Sequence, residues 1–376
     1  MLGLAQEKRK VIVGMSGGVD SSVAVALLKQ EGYEVTGVFM KNWADPRYPC
    51  PWQEDRQDAM RVAAILDIPF ETWDFSKEYR ESVVEYMIRE YRMGRTPNPD
   101  VMCNSRIKFG AFLQYALKAG ADFIATGHYV RLMRKSQTNS KSKIRNSKLV
   151  VAKDLNKDQS YFLWTLTQEQ LAHSLFPIGD YTKPEVRALA KKFGLPTAEK
   201  PDSQGVCFIG EIDVAAFLRD HIPSRRGAVL TASGKKIGEH DGAEFYTIGQ
   251  RHGIGVGGGI PFYVAGKDIE MNTLMVAKGP NDNALFSKKL TVESINWISG
   301  ETPIFPFRCE ARIRYRQPLQ RASIRYQVSG IKGEGRSKTL NTEYLIRFSE
   351  PQRAVTPGQS IVFYNDGKML GGGIIA

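Results

Sequence analysis

The stretch Val11-Ile12-Val13-Gly14-Met15-Ser16-Gly17-Gly18-Val19-Asp20-Ser21-Ser22 constrains the fold more than any other part of this 376-residue chain. An apolar run ends in glycines and a helix-forming run begins at once, the pattern of a strand that turns directly into a helix. Such a turn presents backbone N–H groups at the positive end of a helix dipole, which makes an anion site. Two common phosphate loops are excluded by spelling. No Gly-Lys-Ser/Thr follows, and the glycines of this loop do not fall in the Gly-x-Gly-x-x-Gly spacing. Serine and aspartate flank the glycines, so the loop is lined with polar groups.

The first half continues the same alternation. Lys10–Met15, Glu34–Met40, Phe70–Phe75 and Phe123–Thr126 read as strands, and Ser21–Gln30, Gln53–Leu66, Ser76–Met93 and Asn104–Lys118 read as helices. Strands separated by helices predict a doubly wound parallel sheet, with ligands beyond the carboxyl ends of its strands. The opening loop, Met40 and Gly127 fall on that edge. From Asp158 to Gly194 the pattern is mainly helical, with a capping box at Thr182 and Glu185 and Pro184 in the first turn.

After about His221 glycine becomes frequent and short extended runs replace long helices. Ala228–Leu230, Glu244–Ile248 and Phe262–Ala265 read as strands of a small β-rich domain. Beyond Leu290 the reading is all-β, with strands at Leu290–Ile298, Arg308–Tyr315, Tyr344–Phe348 and Ser360–Tyr364 and a hairpin turn at Asn365-Asp366-Gly367. A closed or nearly closed barrel hides the edges of such strands. The expected architecture is therefore α/β, a doubly wound domain over 1–220, a small β-rich domain over 221–288 and a C-terminal β-barrel over 289–376.

No run is long and apolar enough to cross a membrane, the N-terminal stretch is short and polar, and the cysteines, Cys50, Cys103, Cys207 and Cys309, form no Cys-x-x-Cys pair. These features predict a cytoplasmic protein without a membrane partner. A net charge of +12 suits a polyanionic partner. Seven basic and no acidic residues lie between Arg131 and Lys148, a segment that reads as a mobile surface loop.

Cys103 follows Asn98-Pro99-Asp100-Val101-Met102 and precedes an expected helix. A cysteine at a helix N-terminus is biased towards thiolate, while Asp100 opposes that bias and is placed to transfer protons. A buried structural cysteine is the alternative. Cys207 lies in the glycine-rich stretch Lys200–Gly210, which reads equally as an active-site loop or a linker. Two separated cysteines on loops fit thiol relay chemistry. Cys50 and Cys309 read as structural. His128, after a strand, reads as structural rather than as a general base.

The loop spelling Ser-Gly-Gly-Val-Asp-Ser resembles the PP-loop of ATP pyrophosphatases, which implies cleavage of ATP between the α- and β-phosphates with adenylation of a substrate. A wider resemblance, nearly end to end, is to the tRNA-specific 2-thiouridylases. It is carried by Gly14 to Ser21, Thr96-Pro97-Asn98-Pro99-Asp100 with Cys103-Asn104, Ala125-Thr126-Gly127-His128-Tyr129, Lys157-Asp158-Gln159-Ser160-Tyr161-Phe162-Leu163, Gly205-Val206-Cys207-Phe208-Ile209-Gly210, Gly249-Gln250-Arg251, Arg314-Tyr315-Arg316-Gln317 and Gly371-Gly372-Gly373.

That resemblance implies specific roles. Gly14, Met15, Ser16, Gly17, Gly18, Val19, Asp20, Ser21, Met40 and Gly127 would bind ATP, which arrives with Mg²⁺. Asn98, Pro99 and Asp100 would hold the target uridine. Cys207 would carry a persulfide from a sulfur-relay protein, and Cys103 would resolve it, through a transient Cys103–Cys207 disulfide. Lys157, Asp158, Gln159, Arg314 and Tyr315 would contact tRNA. Without the resemblance, 157–159 reads as an exposed turn and 314–316 as the exposed face of a barrel strand. The basic 131–148 segment departs from the family pattern and leaves the catalytic motifs untouched. Two alternatives stand beside this reading. One is another PP-loop tRNA-modifying or amide-forming ligase. The other is a thiolase in which Asp100, Cys103 and Cys207 hold an iron–sulfur cluster, although such clusters usually take more thiolates.

Overall fold

The computed structural model describes residues 8–45, 47, 52–134, 147–202, 214–257, 259–332 and 339–376. The first part contains β1 (Lys10–Gly14), β2 (Glu34–Lys41), β3 (Phe70–Asp74), β4 (Phe123–Ala125), β5 (Arg131–Arg134), β6 (Ser147–Val150) and β7 (Ser174–Leu175). Five of them form a sheet in the order β3-β2-β1-β4-β7, with every neighbouring pair parallel. Successive residues of β1 serve opposite faces, as the strand period of two requires. Val11 and Val13 pack with Val23, Leu27, Val62 and Val186, under helices α1 (Val19–Gln30), α2 (Trp52–Ile65) and Lys183–Lys192. Ile12 packs with Val83, Met87, Ile107 and Phe112, under the 76–92 and 99–118 helices. Both faces are covered, which is why β1 reads as a continuous apolar run. Val13 is 0% exposed, and burial of such a side chain contributes about 1.5–3 kcal/mol.

The strand order turns back between β1 and β4. This is the crevice where open α/β sheets bind ligands, and the opening loop and Gly127 flank it.

The middle unit is a four-stranded sheet, with β8 (Gly227–Thr231), β9 (Lys236–His240), β10 (Phe262–Asp268) and β11 (Thr273–Lys278) in the order β10-β11-β8-β9. The expected strand at Glu244–Ile248 is absent. Gly242, at φ +143°, starts a 3₁₀ turn over Ala243–Phe245, whose Ala243 and Phe245 are buried. The apolar residues there plug a corner and extend no ladder.

The last unit holds β12 (Phe286–Trp297), β13 (Phe307–Arg312), β14 (Gln320–Lys332), β15 (Thr339–Arg353), β16 (Ser360–Asn365) and β17 (Lys368–Ile375). The order β12-β15-β14-β13-β16-β17 closes through β12–β17 pairing into a six-stranded antiparallel barrel, as expected. Leu290, Val292, Ile324, Ile346, Phe348, Ile361 and Phe363 pack together in it. Asp366 and Gly367, at φ +48° and +70°, make the two-residue turn between β16 and β17.

One feature departs from the three-unit picture. The ends of the basic segment are no loop: β5 and β6 pair as a hairpin, and β6 joins β17 through Lys368↔Val150 and Met369↔Leu149. The first unit thereby lends two strands to the barrel's sheet. The centre of the basic segment, 135–146, lies outside the described residues.

Candidate active site at the carboxyl edge of the parallel sheet

The opening loop is shaped by its glycines. Gly17 stands at φ +73°, and a Cβ there would lie 2.2 Å from the Asp55 carbonyl oxygen. A Cβ on Gly127 would lie 2.6 Å from the Ser21 nitrogen, and one on Gly14 would lie 2.9 Å from the Met40 methyl. Gly127 and Met40 are thus packed on the loop, as the sequence predicts. Ser16 N–H donates to Ser21 Oγ at 3.2 Å, and the Ser22 hydroxyl donates to the Gly18 carbonyl at 2.8 Å. Gly18 is the N-cap of α1 and supplies no side-chain cap, so the first amides of the helix are left for a ligand or water.

Asp20 is held from two sides. The Tyr129 hydroxyl donates to Oδ1 at 2.8 Å, and the Lys183 ammonium lies 2.8 Å from each carboxylate oxygen. Burial and the Asp20 charge both push the Tyr129 phenol well above its usual range, so it stays a donor. Lys183 is 8% exposed and also pairs with Asp202 at 2.8 Å. Asp202 in turn takes Lys157 at 2.6 Å and Arg187 at 3.1 Å. Burial alone would raise the Asp202 carboxyl, but bonds from Lys157 and Lys183 bring it down to about 2. Sequence reasoning missed Lys183 and Asp202. The available signal was Lys183 in the first turn of its helix, where the dipole disfavours a cation unless an acid answers it.

The Asn98–Cys103 segment opens the helix that runs on to Phe112. Asn98 Oδ1 accepts from Val101 N–H at 3.2 Å and Pro99 follows it, so the helix begins four residues before Cys103. Cys103 is therefore not the first residue of its helix, and it is 2% exposed. The dipole argument for its thiolate loses most of its force, because that effect fades beyond the first turn. Asp100 and Cys103 are three apart and share one helix face. Burial raises the Asp100 carboxyl above its usual value, against the pull of the Lys108 charge. The run Cys103–Phe112 is π-wound, a rare winding that is frequent at functional sites. Within it Asn104 donates to the Phe162 carbonyl at 3.3 Å, while its buried Oδ1 accepts no hydrogen bond. The Phe112 ring reaches within 3.6 Å of the Cβ position of Gly14. The cysteine helix and the opening loop thus meet at the end of β1.

The residues expected to touch tRNA are placed differently from one another. Lys157 is half-buried against Asp202. Asp158 is 2% exposed: it accepts from Ala152 N–H at 3.1 Å and the Ser160 hydroxyl at 2.8 Å, and it pairs with buried Arg312 of the barrel at 3.1 Å. Gln159 Oε1 accepts from Tyr129 N–H at 2.9 Å. The 157–159 stretch is a junction and not an exposed turn. Strand β13 ends at Arg312, so Arg314 and Tyr315 follow the strand and do not lie on its face. Arg314 donates to the Ala354 carbonyl at 3.0 Å, and the Tyr315 ring packs 4.7 Å from Phe162. His128 is buried between Phe109 and Phe176, and burial holds it well below the usual range, in keeping with a structural role. Cys309 is buried in β13, and burial pushes its thiol up to about 12. Cys50 and Cys207 lie outside the described residues. Among the described residues no group of three or more His, Cys, Asp or Glu side chains is gathered to hold a metal ion, and no helix is long and apolar enough to cross a membrane.

Three family models cover the chain in succession. They are the tRNA methyl transferase HUP domain over residues 9–211, the tRNA methyl transferase PRC-barrel domain over 215–278 and the aminomethyltransferase beta-barrel domain over 287–375. The chain is 47% identical over 374 residues to a tRNA-specific 2-thiouridylase of Geobacillus thermodenitrificans, spanning 99% of this chain and 95% of the relative. It is 46% identical over 375 residues to one of Streptococcus thermophilus, spanning 98% and 95%. It is 46% identical over 372 residues to one of Halalkalibacterium halodurans, again spanning 98% and 95%.

Proposed function

The chain belongs to the tRNA-specific 2-thiouridylase family, a family of sulfurtransferases, and from that premise we propose how its residues divide the reaction. The domain-model descriptions speak of methyl transfer and the relatives of thiolation. The loop Ser-Gly-Gly-Val-Asp-Ser and the cysteine beside Asp100 fit thiolation. The observation that carries the reading is that the helix leading from Cys103 to Phe112 reaches the opening loop at the β1/β4 crevice, its Phe112 ring packed against Gly14.

In the first stage the C2 oxygen of the anticodon wobble uridine attacks the α-phosphorus of ATP. A new P–O bond forms, the bond to pyrophosphate breaks, and the base carries AMP on O2. Gly14 to Ser21, with Met40 and Gly127 against them, bind the nucleotide, and the uncapped amides of α1 neutralise the departing pyrophosphate. Asp20, fixed by Tyr129 and Lys183, keeps the loop in register. Asn98, Pro99 and Asp100 hold the uridine, which leaves the anticodon stack at a cost of a few kcal/mol. Mg²⁺ accompanies the triphosphate. Asp20 is the sole carboxylate of the loop and already serves Tyr129 and Lys183, so the ion would be held mainly by phosphate and water.

In the second stage sulfur from a Cys207 persulfide reaches C2, either directly or as sulfide released by Cys103. The C–S bond forms as the C–O bond to AMP breaks. The S–S bond of the persulfide is cleaved by the Cys103 thiolate, giving a Cys103–Cys207 disulfide that an external thiol reduces. Asp100, with a carboxyl raised by burial, handles the proton. A sulfur-relay protein supplies the persulfide. The 221–288 and 289–376 units grip tRNA, with Lys157, Gln159, Arg314 and Tyr315 at their junction with the first unit. Asp158 serves that junction through Arg312.

The test is nucleoside mass spectrometry of tRNA after incubation with ATP, Mg²⁺ and a persulfide source. Wild type yields 2-thiouridine with pyrophosphate release. Cys207→Ser retains pyrophosphate release and loses thiolation, and normal thiolation by that variant would refute the relay.

A further inference from the structure

The backbone just before Asn98 is held by both β-rich units. Gln359 of the barrel donates its amide to the Thr96 carbonyl at 2.9 Å and to the Pro97 carbonyl at 3.1 Å. Thr96 N–H donates to the Pro357 carbonyl at 2.9 Å, and Gly358, at φ +88°, leaves no room for a Cβ, which would lie 2.9 Å from the Thr96 oxygen. From the middle unit, the Thr247 hydroxyl lies 3.1 Å from that of Thr96, itself 7% exposed. On the preceding residues, a Cβ on Gly94 would meet Ile269 of the middle unit at 2.4 Å, and Arg95 reaches Glu293 of the barrel at 3.4 Å. Gln250 closes the Thr247 turn by accepting from Thr247 N–H at 3.0 Å. Pro97 and Pro99 contribute no N–H, so this stretch has few internal bonds of its own and takes its conformation from outside.

We infer that Gln359 is a positioning residue for thiolation, fixing the Thr96-Pro97 backbone from the barrel so that Asn98, Pro99 and Asp100 face the crevice. The inference rests on the thiolation reading. It gives the barrel a second duty, separate from any hold on tRNA. One side-chain amide spans two successive carbonyls, so it fixes the peptide orientation entering the Asn98 cap, and with it the start of the helix that carries Asp100 and Cys103. Misplacement of a binding wall by about 1 Å costs up to a hundredfold in rate.

The experiment uses the full chain with Gln359→Met, which keeps the volume and removes the donor. The expected result is a fall in kcat of about tenfold or more. ATP and tRNA affinity should stay within about twofold, and amide exchange should be faster over 96–104 but unchanged in α1. A merely structural role in the barrel would instead accelerate exchange in β16 and β17 and weaken tRNA binding along with kcat, and that outcome overturns the inference. So does an unchanged kcat. If Gln359→Met fails to fold, Gln359→Glu, which keeps the shape and replaces the donor amide by an oxygen facing the two carbonyls, asks the same question, and wild-type exchange over 96–104 together with wild-type kcat in that variant also overturns it. If the wild-type protein makes no 2-thiouridine, the thiolation reading fails, while the exchange pattern still decides whether Gln359 sets the 96–104 backbone.

Discussion

Lys183 holds Asp20 across 163 residues of chain, its ammonium 2.8 Å from both carboxylate oxygens. The same ammonium meets Asp202 at 2.8 Å, so one nearly buried cation ties the 14–21 loop to the residue that leads into the 203–213 stretch containing Cys207.

Lys183→Met is therefore expected to act on both stability and the first chemical stage. Removing one partner of a buried pair strands the others. Asp20 is 31% exposed, so the cost falls below that of a fully buried pair, roughly 2 kcal/mol. Urea denaturation reads that loss. Pyrophosphate release with tRNA present should fall at least tenfold, because Asp20 no longer fixes the loop. A variant that releases pyrophosphate at the wild-type rate would show that Asp20 needs no such anchor.

Asp100 offers a pH test. Its folded carboxyl titrates above the ordinary 3.8 because burial penalises the charge. The folded state therefore prefers the proton. The stability this confers is present below 3.8 and lost as pH rises through the folded value. At neutral pH the ionised group is a cost that asparagine lacks. Asp100→Asn should melt above wild type at pH 7, the gap should close as pH falls towards 4, and thiolation should drop about a hundredfold or more. A gap that widens on acidification contradicts the assignment.

The Asp158–Arg312 pair, 1% and 9% exposed, joins the first unit to the barrel and invites a double-mutant cycle. Arg312→Met alone should cost about 3 kcal/mol by leaving a buried carboxylate without its cation. The double variant Asp158→Asn, Arg312→Met should lose less than the sum, with a coupling of about 1–3 kcal/mol. Arg312 Nε already lacks a partner, so the arginine is imperfectly satisfied where it sits. Strict additivity in denaturation midpoints would mean the pair does not join the units.

The doubly wound sheet was legible because its strands and helices are local patterns with opposite periods, and the loop, Met40 and Gly127 met as those patterns required. The turn at Asp366-Gly367 was legible for the same reason. What escaped depends on distant partners. Nothing near Arg131 or Ser147 announces that their strands will pair with each other and then with β17. Strand β13 ends before Arg314, and Arg316 then turns at φ +62°, a conformation its spelling does not advertise. Asp158 looked like a charged turn and proved to be buried, because its counterion Arg312 comes from 154 residues away. Lys183 was hidden in the same way, behind a capping box that explained its helix without it.

The seam between β6 and β17 bears on the order in which the molecule can be made. Strand β17 follows every other strand in the chain, yet it pairs with β16 and β12 inside the barrel and with β6 of the first unit. Gly358 N–H donates to the Ile375 carbonyl and Ile375 N–H to the Gln359 carbonyl, so the turn that holds Thr96 is braced by the same strand. During translation the 14–21 loop and the Asn98 helix leave the ribosome early, but this brace arrives only with β17. A nascent chain halted before Lys368 has the loop and the helix without the β17 bonds that brace the turn at Gly358-Gln359. The support of an early segment is thus made late, by a strand that follows it by some 270 residues.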